Sequence, residues 1–279
     1  MELKLKPHQK SAIRKMHNGC ILCGGTGSGK SSTGLAYYYI QNGGTVEPMT
    51  KMKNPKDLYI ITTAKKRDSG EWLGDMSWFY LTPDDDSKIY DHKIVIDSWN
   101  NIKKYVDVKN SFFIFDEQRV VGYGTWTKSF LKIAKSNEWI FLSATPGDNY
   151  MDYMPVFIAN GYYKNKSEFT AEHCVYSRFS KFPQIEKFIG TERLNRLRRR
   201  VLVDMPYQNP AVQHHEDVWC SYDREAYKTL MRDRWDYEKN EPIENVREFC
   251  YKVRRICYDQ ESRAEGVKSI FEDQKKLIE

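Results

Sequence analysis

The sequence predicts an α/β protein with a central, mainly parallel sheet flanked by helices and followed by a C-terminal helical extension. Short runs that are apolar throughout recur along the first half of the chain, at 20–23, 58–61, 94–96, 112–115 and 139–142. Such runs are typical of strands that are buried on both faces of a sheet. Small or charged residues directly follow these runs, and from Gly147 onward the period changes, with a helical pattern over 149–163 and a mixed, aromatic stretch over 169–188. We therefore expect one domain over residues 1–155 and a mainly helical continuation over 156–279.

Composition favours a folded protein with a sizeable core. The 279 residues are 40% hydrophobic and 29% charged, a balance that is typical of globular proteins and not of disordered ones. No apolar run approaches the roughly 18 residues that a membrane-spanning helix needs, so we expect no membrane partner. The net charge of +6 is compatible with a nucleic-acid partner but does not require one.

The cysteines and the first residues predict a reducing, intracellular location. Cys20 and Cys23 stand three apart in a predicted strand, where they face opposite sides, so we interpret both as core residues and not as metal ligands. Met1 leads into charged sequence without the pattern of a signal peptide. We expect a cytoplasmic protein, or a nuclear one in a eukaryote.

The first apolar run enters a glycine-rich loop, Gly24–Ser31, that fits the pattern G-x-x-x-x-G-K-[ST] between a strand and a helix. Glycines let the backbone wrap closely around a phosphate, and the start of the following helix favours an anion. Lys30 is placed to reach the β- and γ-phosphates, and the Ser31 hydroxyl to help hold Mg²⁺. The alternative is a Gly/Ser-rich loop with a chance lysine. The predicted binding residues are Gly25, Thr26, Gly27, Ser28, Gly29, Lys30, Ser31 and Ser32.

A helical pattern that begins at Pro7 precedes this loop and carries Gln9. An amide can read the edge of adenine with two hydrogen bonds. We therefore interpret Gln9 as an adenine-binding residue, which makes ATP the predicted nucleotide. The alternative is an exposed glutamine near a helix cap.

Paired carboxylates, Asp116 and Glu117, follow the fourth apolar run. Charge at the end of a buried strand is costly unless it meets a cation or a metal. We assign Asp116 to Mg²⁺, partly through water, and Glu117 to orienting or deprotonating an attacking water. Together with Lys30 they form the predicted catalytic set. The alternative is an acidic strand end that faces solvent.

The last apolar run ends in Ser143, Ala144 and Thr145. Small hydroxyl groups at this position can hydrogen-bond the carboxylate pair and sense the γ-phosphate. We therefore predict that these three residues couple the nucleotide site to the rest of the protein.

Small hydroxyl and cationic residues also follow the second and third apolar runs, namely Thr63, Lys65, Lys66 and Ser98. Open α/β sheets bind ligands at the carboxyl ends of their parallel strands, and these side chains suit contacts with a phosphate backbone. We predict them to contact nucleic acid, with a solvated loop as the alternative. Trp99 is interpreted as a core residue.

The second half of the chain is mainly helical by pattern. Residues 193–200 form a basic helix end, which would be either a solvated face or a source of phosphate contacts. Residues 212–220 alternate weakly like a strand, and 224–276 have the pattern of two or three charged helices. The stripe that we predict to be buried in those helices comprises Leu230, Val246, Phe249, Val253 and Ile256.

Taken together, these motifs resemble the first motor lobe of superfamily 2 helicases and translocases over nearly the whole chain. Gln9 is similar to the adenine-reading glutamine, and Gly24–Ser31 to the Walker A loop. Asp116 and Glu117 resemble the Walker B or DExx box, and 143–145 the coupling motif. The resemblance implies a RecA-like P-loop domain that couples ATP hydrolysis to movement on nucleic acid, with duplex DNA as the expected partner.

Further details resemble the Swi/Snf-like branch of that superfamily. Trp72 follows the second strand motif, where the branch commonly has a tryptophan, and Asn149 follows Thr145-Pro146 before a helix. Residues 194–203 are similar to a leucine- and arginine-rich stretch of the branch, and 253–257 to a helix that comes shortly before its second lobe.

The sequence departs from the branch at two points. The box reads Asp-Glu-Gln-Arg instead of Asp-Glu-Ala-His, so Gln118 or Arg119 would have to replace the contact of the histidine. No segment supplies the second RecA-like lobe with its arginine fingers, and we expect that lobe to follow Glu279 in a longer chain. The alternative is a protein that is natively a single lobe. An arginine finger contributes about 10³–10⁵ in rate in related phosphoryl transfer. The resemblance therefore implies that these residues alone bind ATP and hydrolyse it poorly.

Two other functions are compatible with parts of the pattern. A nucleic-acid-binding module with a regulatory or inactive nucleotide site would leave the intact Lys30, Asp116 and Glu117 unexplained. A small-molecule kinase or GTPase would use the loop but leave Gln9 and the 143–145 motif unexplained. The sequence does not decide between DNA and RNA, or between unwinding and translocation.

Overall fold

The computed structural model describes residues 4–83, 92–117, 124–178, 182–207, 220–236, 239–258, 263–265 and 268. The chain divides into two compact units, Met1–Pro210 and Ala211–Glu279.

A six-stranded sheet forms the centre of the first unit. The strands of this unit, which include those of two separate hairpins, are in chain order β1 Ile21–Cys23, β2 Thr45–Val46, β3 Met49–Thr50, β4 Leu58–Thr62, β5 Ile94–Ser98, β6 Phe112–Asp116, β7 Glu138–Ser143, β8 Cys174–Tyr176, β9 Ile185–Phe188 and β10 Leu202–Asp204. The sheet has the order β10-β1-β7-β6-β4-β5, and all its neighbouring strands run parallel. The antiparallel hairpins are β2–β3 and β8–β9.

Helices cover both faces of this sheet. They are α1 Pro7–Lys15, α2 Lys30–Gln41, α3 Ala64–Ser69, α4 Glu71–Ser77, a 3₁₀ helix Trp99–Tyr105, α5 Thr125–Ala134, α6 Tyr150–Ala159, α7 Lys166–His173 and α8 Thr191–Val201. Side chains of α1, α2 and α4 pack on one face. The 3₁₀ helix with α5, α6, α7 and α8 packs on the other. None of the helices within the described ranges is long and apolar enough to cross a membrane.

The strand β6 shows why the central runs are apolar throughout. Phe112 and Ile114 belong to the core on one face, and Phe113 and Phe115 to the core on the other. All four are at most 1% exposed, and a fully buried side chain of this size contributes about 1.5–3 kcal/mol. The strand is therefore held from both sides, which gives Asp116 at its end a well-defined position.

The division predicted at 155/156 differs from the structure. That position falls inside α6, and the chain returns to the sheet as β10, which pairs with β1 from Leu202 to Asp204. Because β10 and β1 share ladder hydrogen bonds, the first compact unit extends to Pro210.

The second unit contains α9 Arg224–Asp233, β11 Trp235–Asp236, β12 Glu241–Pro242 and α10 Val246–Tyr258. Of the stripe predicted to be buried, Leu230 is buried, but Val246 is 74% exposed and the remaining three residues are half-buried. The prediction of a buried stripe is therefore wrong for α10, because periodicity shows which residues share a face and not whether another element covers it. The predicted strand over 212–220 lies almost wholly outside the described residues.

Candidate nucleotide-binding site

The glycine-rich loop joins β1 to α2. Gly27 and Gly29 adopt left-handed backbone angles, with φ of +76° and +83°, which L side chains rarely adopt. A Cβ atom at Gly25 or Gly27 would meet no atom within 4 Å, so these two residues border open space. The helix α2 begins at Lys30, so its first backbone N–H groups lie beside the loop. This geometry is that of a phosphate cradle.

The Lys30 side chain folds across the loop. Its Nζ donates to the carbonyl oxygens of Gly24 at 2.7 Å and Gly25 at 3.0 Å. Burial lowers the pKa of Lys30, and the nearby Lys66 ammonium lowers it further, while the Asp116 and Glu117 carboxylates act in the opposite direction. The charge of Lys30 is therefore coupled to that of the carboxylate pair, and its catalytic role stays a prediction.

The Asp116 carboxylate is buried, with 1% exposure, at the end of β6. Its Oδ2 accepts hydrogen bonds from Thr62 Oγ1 at 2.8 Å, Lys66 Nζ at 3.1 Å and Trp72 Nε1 at 3.3 Å. The Trp99 indole donates to the backbone oxygen of Asp116 at 3.0 Å, and its buried ring agrees with the interpretation of Trp99 as a core residue. Side chains from three separate segments thus fix the orientation of this carboxylate, and a fourth holds the backbone beside it.

Glu117 is a non-glycine residue with a φ of +56°. Such a conformation costs about 1–2 kcal/mol for a side chain with a Cβ, and strain of this kind clusters at functional sites. Its Oε1 lies 3.2 Å from Lys66 Nζ. Gln118 and Arg119, one of which was expected to replace a histidine contact, lie outside the described residues.

The motif at 143–145 connects with the loop through the backbone. The Ser143 oxygen accepts from the Gly24 N–H at 3.2 Å, and the Ser143 hydroxyl accepts from the Thr145 N–H at 3.1 Å. Because β7 lies between β1 and β6 in the sheet, its end stands between the loop and the carboxylate pair.

A cavity of about 640 Å³ brings these three strand ends together. The predicted residues that line it are Thr26, Gly27, Gly29, Lys30, Ser31, Asp116, Glu117, Ser143, Ala144 and Thr145. Its volume is within the range of about 300–1,000 Å³ that is typical of small-molecule sites. Gly25, Ser28 and Ser32 are not among the lining residues.

The donor set of this cavity fits Mg²⁺. Ser31 offers a hydroxyl and Asp116 a carboxylate, and Mg²⁺ is commonly bound by one or two carboxylates together with phosphate oxygens and waters. Within the described ranges, no group of three or more His, Cys, Asp or Glu side chains is arranged to hold a metal ion.

Three further residues line the cavity that the sequence did not assign to it, namely Lys66, Glu71 and Asp75. Asp75 accepts from the Ser32 hydroxyl at 2.5 Å, so Ser32 contacts a neighbouring helix. Ser28 is buried, and its hydroxyl has no hydrogen-bond partner among the described residues. No sequence signal could have placed Glu71 and Asp75, because only the packing of α4 against α2 brings them to the loop.

Gln9 lies against the loop but is engaged with protein atoms. Its Nε2 donates to the Gly29 oxygen at 3.2 Å, and its Oε1 accepts from the Lys6 N–H at 2.8 Å. The residue is buried, so the alternative of an exposed glutamine is wrong. Adenine recognition by Gln9 remains a prediction.

The residues predicted to contact nucleic acid are not equivalent. The Lys66 ammonium points to the carboxylate pair, and its contact with nucleic acid stays a prediction. Ser98 is buried, and Thr63 caps α3 by accepting from the Lys66 N–H. Lys65 is exposed. The difference arises because α3 turns one lysine inward and leaves its neighbour in solvent.

Comparisons with known proteins give structural but no sequence relatives. No protein-family model matches the chain, and no curated protein does. The structure is similar to a Sulfolobus solfataricus SWI2/SNF2 ATPase core in complex with dsDNA, with a TM-score of 0.54 and 14% identity. The match covers 92% of this chain and 58% of that one, so this chain spans less than two thirds of the solved core.

A Pyrococcus furiosus Hef helicase domain matches 62% of this chain and 41% of that domain, with a TM-score of 0.41 and 15% identity. The likeness to the SWI2/SNF2 core, at 14% identity, concerns the fold. The chain has an α/β, RecA-like fold similar to that of the solved SWI2/SNF2 core, which confirms the predicted fold class.

Proposed function

We propose that this chain is the ATP-binding lobe of a DNA-dependent ATPase, a helicase or duplex-DNA translocase, that needs a second RecA-like lobe for full activity. The observation that carries the proposal is the convergence of the loop, the carboxylate pair and the 143–145 motif on one cavity. Each of these motifs alone is common to many proteins. Their meeting at the carboxyl ends of adjacent parallel strands supports ATP hydrolysis that is coupled to a conformational change.

In the proposed reaction, the loop N–H groups and Lys30 hold the β- and γ-phosphates. Ser31 and Asp116 would hold Mg²⁺, which when bound would neutralise charge that develops on the phosphates. Glu117 orients the attacking water and accepts its proton. Ser143, at the end of β7, is hydrogen-bonded both to Gly24 of the loop and to Thr145 of the 143–145 motif. A change at the γ-phosphate can therefore be passed to β7.

Nucleic-acid binding is proposed from charge and from the structural relative. The chain carries a net charge of +6, Lys65 is exposed, and α8 ends in a run of arginines at 198–200, of which Arg199 and Arg200 are exposed. The SWI2/SNF2 core to which the fold is similar was solved with dsDNA. A second lobe would supply the arginine that completes the site, and lobe closure would drive movement along the duplex.

A titration with ATP and Mg²⁺ tests this proposal. We expect saturable binding by the wild-type chain and loss of binding in Lys30→Ala, because the ammonium is the cation that reaches the phosphates. Lys103→Ala is the matched control, since Lys103 is exposed and does not line the cavity. In a chain that includes the second lobe, Lys30→Ala should abolish DNA-stimulated ATP hydrolysis. Retained turnover in that variant, or no binding by the wild type, would contradict the proposal.

A further inference from the structure

Lys66 occupies an unexpected position for a residue that follows the strand β4. Its side chain is 27% exposed, and its Nζ lies 3.1 Å from Asp116 Oδ2 and 3.2 Å from Glu117 Oε1. A single ammonium thus bridges the two carboxylates that the proposed reaction assigns to the metal and to the attacking water.

The hydrogen bonds of Asp116 show that Lys66 supplies charge and not merely a donor. Thr62 and Trp72 already donate to the same oxygen, Oδ2, at 2.8 and 3.3 Å. A carboxylate oxygen with two neutral donors has its hydrogen-bonding capacity largely filled. The remaining cost is that of a buried negative charge, and a nearby cation is what offsets it.

Lys66 also acts on the less buried member of the pair. Glu117 is held in a left-handed backbone conformation, with its side chain 41% exposed. Such a conformation persists where surrounding contacts determine it, and Lys66 is one such contact. The lysine therefore offsets the negative charge of the two carboxylates and restrains the orientation of their side chains.

We propose that Lys66 is a positioning residue that acts as an internal counter-cation, orienting Asp116 and Glu117 and supplying positive charge that a divalent metal would otherwise provide. This inference rests on the proposed function, because the metal concerned is the one that accompanies the nucleotide. It predicts that nucleotide binding depends less on Mg²⁺ in the wild-type chain than in a chain without this ammonium.

The test compares the dissociation constant of a fluorescent ATP analogue with saturating Mg²⁺ and with EDTA. For Lys66→Met, binding without metal should weaken by about tenfold, the order expected for one charge near the phosphates in a partly screened site. Binding with saturating Mg²⁺ should weaken by less. The ratio of the dissociation constant in EDTA to that with saturating Mg²⁺ should therefore be higher in Lys66→Met than in the wild type. A purely structural loss would weaken both constants equally and leave the ratio unchanged, which would overturn the inference.

Two variants control for charge and for structure. Lys66→Arg keeps the positive charge and should restore the ratio to within about twofold of wild type. Lys103→Met removes the same charge from an exposed position that does not line the cavity, and should leave the ratio unchanged. A raised ratio in Lys103→Met would mean that net charge, and not the position of Lys66, controls the metal dependence.

A second measurement does not involve nucleotide. Urea unfolding in EDTA of Lys66→Met, Asp116→Asn and the double variant forms a thermodynamic cycle. We expect the double variant to be no less stable than Lys66→Met alone, because Asp116→Asn removes the charge that Lys66 compensates. Additive losses would contradict the counter-cation role. If the wild type binds no nucleotide, the proposed function fails together with the metal dependence, whereas the cycle still decides whether Lys66 neutralises Asp116.

Discussion

The bond between Thr62 and Asp116 offers a sharp test of how the carboxylate is held. Both residues are at most 1% exposed, and Thr62 Oγ1 donates to Asp116 Oδ2 at 2.8 Å, the shortest of the three contacts to that oxygen. Thr62→Val removes this donor while keeping a β-branched side chain, which suits the strand β4.

The expected loss of stability follows from the charge of the acceptor. A hydrogen bond to a charged group contributes about 1.5–3 kcal/mol, and the apolar replacement also leaves the carboxylate less solvated. Because Lys66 and Trp72 still donate to Oδ2, we expect a loss of about 2 kcal/mol in the free energy of unfolding. Binding of ATP with Mg²⁺ should weaken as well, since the orientation of Asp116 is less restricted.

Urea denaturation of the wild type and of Thr62→Val measures this loss, with the slope of the unfolding free energy against urea expected to stay constant. Thr170→Val is the matched control. The Thr170 hydroxyl donates only to the Ser167 backbone oxygen, at 3.2 Å and near the surface of α7, so its removal should cost less than about 0.5 kcal/mol. Equal losses in the two variants would refute the idea that Thr62 holds a buried charge.

Three other predictions concern the loop, a buried carboxylate and a buried thiol. Gly29→Ala should lower the free energy of unfolding by at least about 1 kcal/mol and weaken nucleotide binding, because a Cβ there would lie 2.6 Å from Gln9 Nε2. Gly70 also has a left-handed φ, but Gly70→Ala should leave nucleotide binding intact. Burial opposes ionisation of Asp97, but hydrogen bonds led by Asn101 lower its pKa, so its contribution to stability is present above the unfolded pKa of about 3.9 and is lost as the pH falls. Asp97→Asn should flatten the acid limb of the stability curve, and an unchanged acid limb would contradict this. Burial raises the pKa of Cys20 to about 12, so the free energy of unfolding should fall above about pH 8.5, where the thiol ionises in the unfolded chain. In unfolding measurements across this pH range, Cys20→Ala should show a smaller fall. An equal fall in the variant would contradict the prediction.

The local elements followed largely from the sequence. Runs such as 112–115 are apolar at every position because both faces of a central parallel strand are covered. The pattern from Gly24 to Ser31 predicted a turn between a strand and a helix because glycine there meets a real steric demand, with Gly27 and Gly29 in the left-handed region. Asp116 and Ser143 could be assigned to one edge of the sheet because parallel strands end together.

Only the tertiary structure decided which side chains meet at that edge. Lys65 and Lys66 are identical in type and adjacent in sequence, yet one is exposed and the other bridges Asp116 and Glu117. The donation from Trp72 to Asp116 likewise depends on how α4 packs against the sheet. The extent of the first unit was decided by the return of β10 to β1, more than 175 residues later in the chain. Periodicity and motif spacing are local properties, whereas burial, ion pairing and strand order depend on neighbours that are distant in sequence.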